Sequence, residues 1–203
     1  MYITYTILAI TVLVSLKAFS DQALRYRLML NPHAILHEKQ WERLVTHAFI
    51  HGDYMHLIFN MYVLYMFGEI TEKSFVALYG LKGHFYFALL YTGGIFFSTI
   101  ITMAKHKDNP YYNALGASGA VSSVVFAFIV LFPMQKMGIF PLPPMIPAFI
   151  FGPLLLLFEY LMAKRGGSHI AHEAHFAGAL FGILFMSLID YHFILNFLSH
   201  FTT

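Results

Sequence analysis

The sequence predicts an all-α membrane protein, a bundle of six transmembrane helices with a long interfacial loop between the first and second helices. Of the 203 residues, 59% are hydrophobic and 11% are charged, whereas soluble domains have about 45–50% apolar and about 25% charged residues. Six apolar runs have roughly the length of ~17–25 residues that crosses a bilayer as a helix. Short polar connections join them, so we predict one domain over residues 1–203.

The six runs differ in regularity. The first has no basic segment before it and no small-residue cleavage site after it, which predicts a retained span, with no soluble domain ahead of it, and not a signal peptide. Because proline cannot continue a helix, Pro141, Pro143 and Pro144 predict a turn before the fifth run, and Pro153 predicts a kink that makes it the shortest and least regular span. The predicted spans are Tyr2–Phe19, Tyr54–Ile70, Phe85–Met103, Ala114–Phe132, Pro147–Met162 and Phe176–Phe197.

The connection Ser20–Asp53 is long for a helical bundle, where about 2–8 residues is common. It mixes apolar side chains with charges, which favours a segment lying in the membrane interface, with Trp41 near the lipid headgroups. An ordinary amphipathic surface loop is the alternative.

Composition also excludes several functions. The net charge of +2 and the lack of a basic cluster argue against a nucleic-acid partner. The chain has no cysteine, which excludes disulfides, thiolate catalysis and cysteine-ligated metal. We predict no cofactor.

Polar residues collect at the starts of the second, fourth and sixth runs, which lie on one side of the membrane because consecutive helices alternate in direction. Polar groups inside a bilayer are costly and are functional candidates by default. The members of this group are His47, His51, Asp53, His56, Asn60, Asn113, Gly116, Ser118, His169, His172, Glu173 and His175.

Ser118 and His175 suggest nucleophilic chemistry, because a serine hydroxyl attacks well only when a base within about 2.6–3.2 Å accepts its proton. Glycines favour a close approach of the two helices. Gly178 and Gly182 follow His175 on one helix face, and Gly119 and Ser123 repeat the spacing on the fourth run. The alternative is that both stripes only pack helices.

Gly116 and Gly119 flank the serine, and we expect bulkier residues there to stop the chemistry before they stop folding. An oxyanion needs hydrogen-bond donors, and the amide of Ser118 at a helix start has no partner within the helix. His56 and Asn60 share a helix face and are the other candidate donors. The alternative for His56 and Asn60 is a hydrogen-bonded pair with a purely structural role.

Neither of the carboxylates considered as a third catalytic member fits. Glu173 is two residues from His175 and points elsewhere on a helix, and Asp53 belongs to another helix mouth. The sequence therefore favours a Ser–His dyad over a triad.

Histidine pairs raise a metal alternative. His47 with His51, or His172 with His175, could share an ion. The metalloprotease pattern needs two histidines four residues apart with a glutamate after the first, and His172-Glu173-Ala174-His175 is one residue short. We therefore predict no metal site.

These motifs together resemble the rhomboid family of intramembrane serine proteases, from Glu42 to Gly182. Gly116–Gly119 matches the family's glycine-x-serine-glycine motif, Ala174–Gly178 its alanine-histidine-x-x-glycine motif, and His56–Asn60 its histidine-x-x-x-asparagine motif. The resemblance implies a rhomboid-like bundle, Ser118 as nucleophile, His175 as base, His56 and Asn60 as oxyanion donors, and Gly178 and Gly182 as a close-packing pair.

Weaker parts of the resemblance lie outside the catalytic motifs. Arg43–His47 resembles the family's first-loop signature, and Gly68 with Glu72 resembles a pattern that closes the second helix. Two departures are that Trp41 is displaced from its usual place directly before the arginine, and that Ser122 stands where some bacterial members carry a tyrosine.

The implied partners are a transmembrane protein substrate and membrane lipid, with the oligomeric state left open. The family arrangement places the protein in a cell (inner) membrane with the catalytic mouth outside, although Lys and Arg are more frequent on the Ser118 side, which by itself predicts the opposite orientation. The fifth helix is the hypothesised gate for substrate, and its prolines alternatively only shape a turn.

Two other functions remain from the sequence. A catalytically silent rhomboid-like protein would bind membrane clients without cutting them. A histidine-lined transporter or metal-handling protein would need His47, His51 and His172 and tolerate the loss of Ser118.

Overall fold

The computed structural model describes residues 2–138, 145–165 and 171–202. Pro141, Pro143, Pro144 and His169 lie outside the described residues. The described part is mostly helical, which confirms the predicted all-α class apart from one small hairpin. Its helices are α1 Ile3–Ser20, α2 Gln22–Leu28, α3 Pro32–His37, α4 Arg43–Thr46, α5 Tyr54–Val63, α6 Glu69–Tyr79, α7 Lys82–His106, α8 Ser118–Leu131, α9 Ala148–Arg165, α10 His172–Ile189 and α11 His192–Ser199.

Three of these helices, α1, α7 and α10, are long and apolar enough to cross a membrane. The other predicted spans are helical but shorter, divided or more charged, so the count of six spans stays a prediction.

The connection between α1 and α5 is folded into short helices. Asp21 accepts a hydrogen bond from the amide of Leu24 at the start of α2, and Asn31 does the same for Ala34 in α3, as side chains that cap helix starts do. Arg43 is buried and donates to the carbonyl oxygens of Tyr26 and Met29 at 2.8 Å each. Its guanidinium thereby fixes the connection beside the bundle.

The second predicted span is longer than expected. A π-helical segment, Leu64–Gly68, joins α5 directly to α6, and the helix ends only at Gly80, whose φ of 61° suits glycine. The implied helix closure by Gly68 and Glu72 is therefore wrong, because both lie inside the continuing helix.

Helix α8 is the centre of the molecule. Its buried residues are Gly119–Val121 and Ser123–Val130. With 14 residues it is ~21 Å long at about 1.5 Å per residue, which is less than the ~30 Å thickness of a bilayer's hydrocarbon core. The most apolar predicted span is therefore a protein core, and it is too short to reach both membrane surfaces.

The prediction that the fifth span is the shortest is wrong, since α9 has 18 residues and α8 has 14. Pro153 lies within α9 without ending it, because one proline removes a single backbone hydrogen bond. An antiparallel pair of two-residue strands, β1 Lys136–Met137 and β2 Ile146–Pro147, precedes the helix. Only Ala148 and Gly152 of α9 are buried.

The sixth predicted span also differs. It begins earlier than predicted, at His172, and ends at Ile189, because the extended backbone of Asp190 breaks the helix. The rest of that apolar run forms the separate helix α11.

Candidate active site at the start of α8

The loop before α8 is held by the connection between α1 and α5. Leu30 and Ala114 exchange two backbone hydrogen bonds, of 2.8 and 3.0 Å. The amide of Gly116 donates to the carbonyl oxygen of His47 at 2.9 Å. These bonds fix the direction from which the chain enters α8 at Ser118.

Gly116 is required by its backbone conformation. Its φ is 121°, a value that side chains other than hydrogen rarely allow. A Cβ atom there would also lie 2.9 Å from Cε1 of His56. The prediction that Gly116 supports helix packing does not describe its role in this structure, because it lies in the loop and makes room for the ring of His56.

Ser118 is the first residue of α8 and is partly exposed. It lines a small cavity of about 30 Å³, enough for about one or two water molecules. The cavity lies between the loops and helices α7, α8 and α10. Its other lining residues are Leu30, His47, Ser98, Thr99, Thr102, Ala114, Leu115, Gly116, Gly119, Ala171 and Ala174.

Two glycine stripes bring α8 and α10 together. A Cβ atom added to Gly178 would overlap the carbonyl oxygen of Gly119, and one added to Gly182 would overlap that of Ser123. The backbones are therefore in direct contact at two successive turns. Because Gly178 follows His175 by one turn and Gly119 follows Ser118 by one residue, this contact brings the start of α8, with Ser118, to the face of α10 that carries His175.

His56 faces the same space. Its Nδ1 accepts a hydrogen bond of 3.4 Å from the amide of Gly52, which leaves the ring proton on Nε2. A Cβ atom at Gly116 would be 3.1 Å from this Nε2 and 3.9 Å from Oγ of Ser118. An N–H donor is thus directed toward the region of the serine.

Asn60 is buried one turn after His56 on α5. Its Nδ2 donates to the backbone carbonyl of His56 at 2.9 Å. This bond uses one of the two amide hydrogens, and the second is available as a donor.

His51 links the loop before α8 to α1. The amide of Ala117 donates to its Nε2 at 3.4 Å, so the ring proton is on Nδ1, which donates to Oγ of Ser15 at 3.0 Å. The serine hydroxyl in turn donates to the carbonyl oxygen of Phe49 at 3.0 Å. His51 therefore has a structural role in this arrangement.

His47 is also held locally, since its Nδ1 donates to the carbonyl oxygen of Arg43 at 2.9 Å. Burial lowers the pKa of His47 to about 4, and burial together with the nearby His56 lowers the pKa of His51 to about 3. Both rings are neutral at physiological pH. Their separate hydrogen bonds do not support a metal shared by this pair.

Two carboxylates near the site have different hydrogen-bond partners. Glu173 accepts from Thr102 at 3.3 Å and from Lys105 at 3.0 Å, both on α7. The carboxylate of Glu159 on α9 lies 3.4 Å from Nδ1 of His175 and 2.6 Å from Nδ1 of His172. Glu159, His172 and His175 could together hold a metal ion, because their potential ligand atoms all lie within 4.8 Å of one another. No other group of three or more His, Asp or Glu among the described residues meets this criterion.

Sequence reasoning missed Glu159. The available signal was a lone acidic residue in an apolar run, since an ionisable group inside a membrane is a functional candidate by default. What the sequence could not give was the rotation of α9, which decides whether this carboxylate faces lipid or α10.

Comparison with known proteins shows which family this chain resembles over most of its length. A model of the Rhomboid domain matches residues 38–192. Presenilin-associated rhomboid-like protein A, mitochondrial, of Danio rerio is 30% identical over 146 residues, which cover 70% of this chain and 36% of that protein. RHOMBOID-like protein 12, mitochondrial, of Arabidopsis thaliana is 30% identical over 152 residues, which cover 67% of this chain and 43% of that protein.

The match to a bacterial relative covers fewer residues. The putative rhomboid protease YdcA of Bacillus subtilis is 30% identical over 101 residues, or 49% of this chain and 46% of that protein. The match to this chain covers only about two fifths of the length of the first two relatives. The domain match spans most of the chain and includes every motif noted above, from Arg43 to Gly182, and on this ground the protein belongs to the Rhomboid family.

Proposed function

We propose that the protein is an intramembrane serine endopeptidase that hydrolyses peptide bonds in or near transmembrane segments of other membrane proteins. The observation that carries the proposal is the backbone contact of Gly178 with Gly119, which brings the helix of His175 against the start of α8. Packing alone does not require a serine at the helix start, a histidine on the facing helix and ring N–H groups beside them.

In the proposed reaction, His175 accepts the hydroxyl proton of Ser118 while Oγ bonds to the substrate's carbonyl carbon. The proton then passes to the leaving amine as the C–N bond breaks, which leaves an acyl group on the serine. A water molecule then loses a proton to His175 and bonds to the acyl carbon, the C–Oγ bond breaks, and His175 returns the proton to Oγ of Ser118 as the carboxylic acid product leaves. The cavity of about 30 Å³ beside Ser118 offers space for such a water.

The oxyanion would be held by donors at the start of α8. The amide of Ser118 is at the first helical position, where N–H groups lack partners within the helix and the helix dipole is positive. His56 contributes Nε2–H, and Asn60 its second amide hydrogen. Loss of one such donor costs about 100–1,000-fold in rate in serine proteases.

Helix α9 is the proposed gate for substrate. Only two of its residues are buried in the described part of the chain, compared with eleven in α8. Its outward face is apolar, with Leu154, Leu157 and Leu161 each more than half exposed. A helix that buries so little is the easiest to displace, and its apolar face suits contact with lipid.

The six-span arrangement and the location of the protein belong to this proposal. Short α8 begins below one surface of the bilayer, so water reaches Ser118 from the polar side while substrate enters from lipid. The first two relatives have mitochondrial names and give no support to the predicted cell inner membrane with the mouth outside. Orientation in the membrane stays a prediction.

The test is cleavage of a single-span substrate in liposomes by the wild type and by Ser118→Ala and His175→Ala. Both variants are expected to lose cleavage. Ser122→Ala is the matched control, because Ser122 lies one turn further along α8, and it should cleave normally. A fluorophosphonate should label Ser118 in the wild type and fail to label the His175→Ala variant.

Cleavage that persists in Ser118→Ala contradicts the mechanism. A folded wild type that binds the substrate without cutting it, and that does not react with the fluorophosphonate, would instead indicate a client-binding protein. No observation favours the histidine-lined transporter, since His47 and His51 are engaged in the hydrogen bonds described above.

A further inference from the structure

Glu159 is an acidic side chain on a helix that buries few of its described residues. Its carboxylate is turned toward α10, and the side chain is only 13% exposed. One oxygen, Oε2, lies 2.6 Å from Nδ1 of His172, and the other, Oε1, lies 3.4 Å from Nδ1 of His175. The carboxylate thus bridges two histidines that are one helical turn apart.

His172 fixes the orientation of this carboxylate. Its side chain is 6% exposed, and its ring packs edge-on against Phe158 of α9 with 5.8 Å between the ring centroids. A short hydrogen bond from a packed ring leaves the carboxylate little freedom. Oε1 is therefore held on the side of His175.

This arrangement determines which nitrogen of His175 carries the proton. An ionised carboxylate can only accept hydrogen bonds, so Nδ1 of His175 must be the donor. Nε2 is then unprotonated and has a free lone pair, which is the form that a general base needs. Without the carboxylate, the two neutral tautomers compete and the ring is free to turn.

We propose that Glu159 is a positioning residue that holds His175 in its basic tautomer and orientation, and that His172 orients Glu159. This inference rests on the proposed function and changes the predicted Ser–His dyad into a Ser118–His175–Glu159 arrangement. Glu159 does not touch substrate and acts only through His175. The third member comes from α9, a helix separate from those of the nucleophile and the base.

The experiment compares Glu159→Gln, Glu159→Asp and His172→Gln with the wild type in liposomes. We expect Glu159→Gln to lower kcat by at least about ten-fold, yet by less than the ~10⁴-fold lost when the aspartate of a Ser–His–Asp triad becomes asparagine, because the 3.4 Å contact with His175 is long for a hydrogen bond. KM should change less than about two-fold. Glu159→Asp keeps the charge and should retain more activity than Glu159→Gln. His172→Gln should lower kcat less than Glu159→Gln, since Glu159 remains.

Glu173→Gln is the matched control. Glu173 is closer to His175 in sequence but binds Thr102 and Lys105, so its loss should leave kcat unchanged. The rate of fluorophosphonate labelling of Ser118, which needs no substrate, should fall in Glu159→Gln in proportion to kcat. Thermal unfolding in detergent checks that each variant is folded.

An unchanged kcat and labelling rate in Glu159→Gln would overturn the inference while leaving the proposed protease intact. So would equal losses in the Gln and Asp variants that follow their loss of thermal stability, which would indicate a structural role. Loss of wild-type activity in EDTA, regained with zinc, would also overturn it, because the cluster would then bind metal. Failure of the proposed function has a different signature, namely cleavage or labelling that does not depend on Ser118.

Discussion

Two glutamates, at opposite regions of the molecule, each bind a histidine through Nδ1, yet their surroundings differ. Glu72 on α6 is fully buried and lies 2.7 Å from Nδ1 of His84. It also accepts from the amides of Ile3 and Thr4 at 2.7 and 2.8 Å and from the Thr4 hydroxyl at 2.6 Å. Glu159 is partly exposed and has the two histidine partners described above.

The comparison shows that a glutamate–histidine pair can have different surroundings, which suit a structural role at Glu72 and the proposed positioning role at Glu159. Around Glu72, four donors from two other helices surround one carboxylate. Two of these donors are backbone amides at the start of α1, which have no hydrogen-bond partner within their own helix. Such a fully bonded group stabilises helix packing and has no capacity for a changing partner. Within the described part of the chain, Glu159 has only the two histidines as partners, its contact with His175 is 3.4 Å long, and 13% of its side chain is exposed, which leaves room for the proton exchange proposed for His175.

The largest expected effect is loss of stability in Glu72→Ala. The change removes the acceptor for four donors, and each buried donor left without a partner costs about 1–3 kcal/mol. The midpoint of thermal unfolding in detergent should fall strongly. Glu69→Gln is the matched control, because Glu69 pairs with Lys73 at the surface, and it should leave the midpoint unchanged. Equal midpoints in both variants would mean that Glu72 does not hold the helices.

The next effect is expected at the end of the molecule with the candidate active site, in Gly178→Ala. The added methyl group overlaps the carbonyl oxygen of Gly119, so α8 and α10 must separate. Overpacking of this kind costs about 1–3 kcal/mol, and a displacement of about 1 Å can cost on the order of 100-fold in rate. Cleavage should therefore fall about 100-fold or more while the protein still folds.

Gly52→Ala is the control for that change. The nearest atom to a Cβ there is 3.6 Å away, in the ring of His56, which is an ordinary van der Waals distance. Activity near that of the wild type is expected. Normal cleavage by Gly178→Ala would show that the close approach of the two backbones is not needed for chemistry.

An effect on stability of at most similar size should appear as the pH is lowered. Burial lowers the pKa of His47 to about 4 in the folded protein, from 6.5 for a solvated histidine. The unfolded chain thus binds more protons between these values. The stability that His47 contributes is complete above pH 6.5 and is lost as the pH falls toward 4, by on the order of 3 kcal/mol at most.

The unfolding midpoint, recorded from about pH 7.5 to about pH 4.5 so that it brackets the usual histidine pKa, should fall less in His47→Gln than in the wild type. Because the carbonyl oxygen of His47 holds Gly116, labelling of Ser118 should decline over the same range. Parallel curves for the two proteins would contradict a buried, neutral His47.

The smallest effect is expected for a third carboxylate–histidine pair, at the surface. Asp190 lies 2.7 Å from Nδ1 of His192, and both side chains are largely exposed. Hydrogen bonds from His192 lower the pKa of Asp190, but exposed ion pairs contribute little because solvent screens them. Asp190→Asn should change neither the unfolding midpoint nor cleavage. A clear loss of either would show that distance, and not burial, sets the strength of these pairs.

Much of the molecule follows from local sequence. Hydropathy and length predicted membrane helices, and the Rhomboid membership inferred from short motifs is confirmed by the domain match. Helix starts are also local, since Asp21, Asn31 and Asp53 each accept a hydrogen bond from the amide three residues ahead. Such features depend on neighbours in the chain, so a sequence pattern contains them.

Other features depend on contacts that no local pattern encodes. The helix of the second span passes Gly68 and continues to Tyr79, and Gly68 there lies close to Thr4 of α1. Helix α8 begins four residues later than its apolar run, because backbone hydrogen bonds of Ala114 with Leu30 and of Gly116 with the carbonyl oxygen of His47 hold the preceding residues in a loop. At α8 a distant segment overrides the local preference.

The sequence by itself determined that this protein is a helical membrane protein of the Rhomboid family, and it named Ser118 and His175 as the residues to test. Only the tertiary structure decided that Gly116 serves a backbone conformation, that α8 is the buried centre, and that Glu159 meets His172 and His175. The physical reason is that hydropathy records which residues avoid water, whereas the partners of a carboxylate inside the bundle depend on the rotation and depth of each helix, which packing sets.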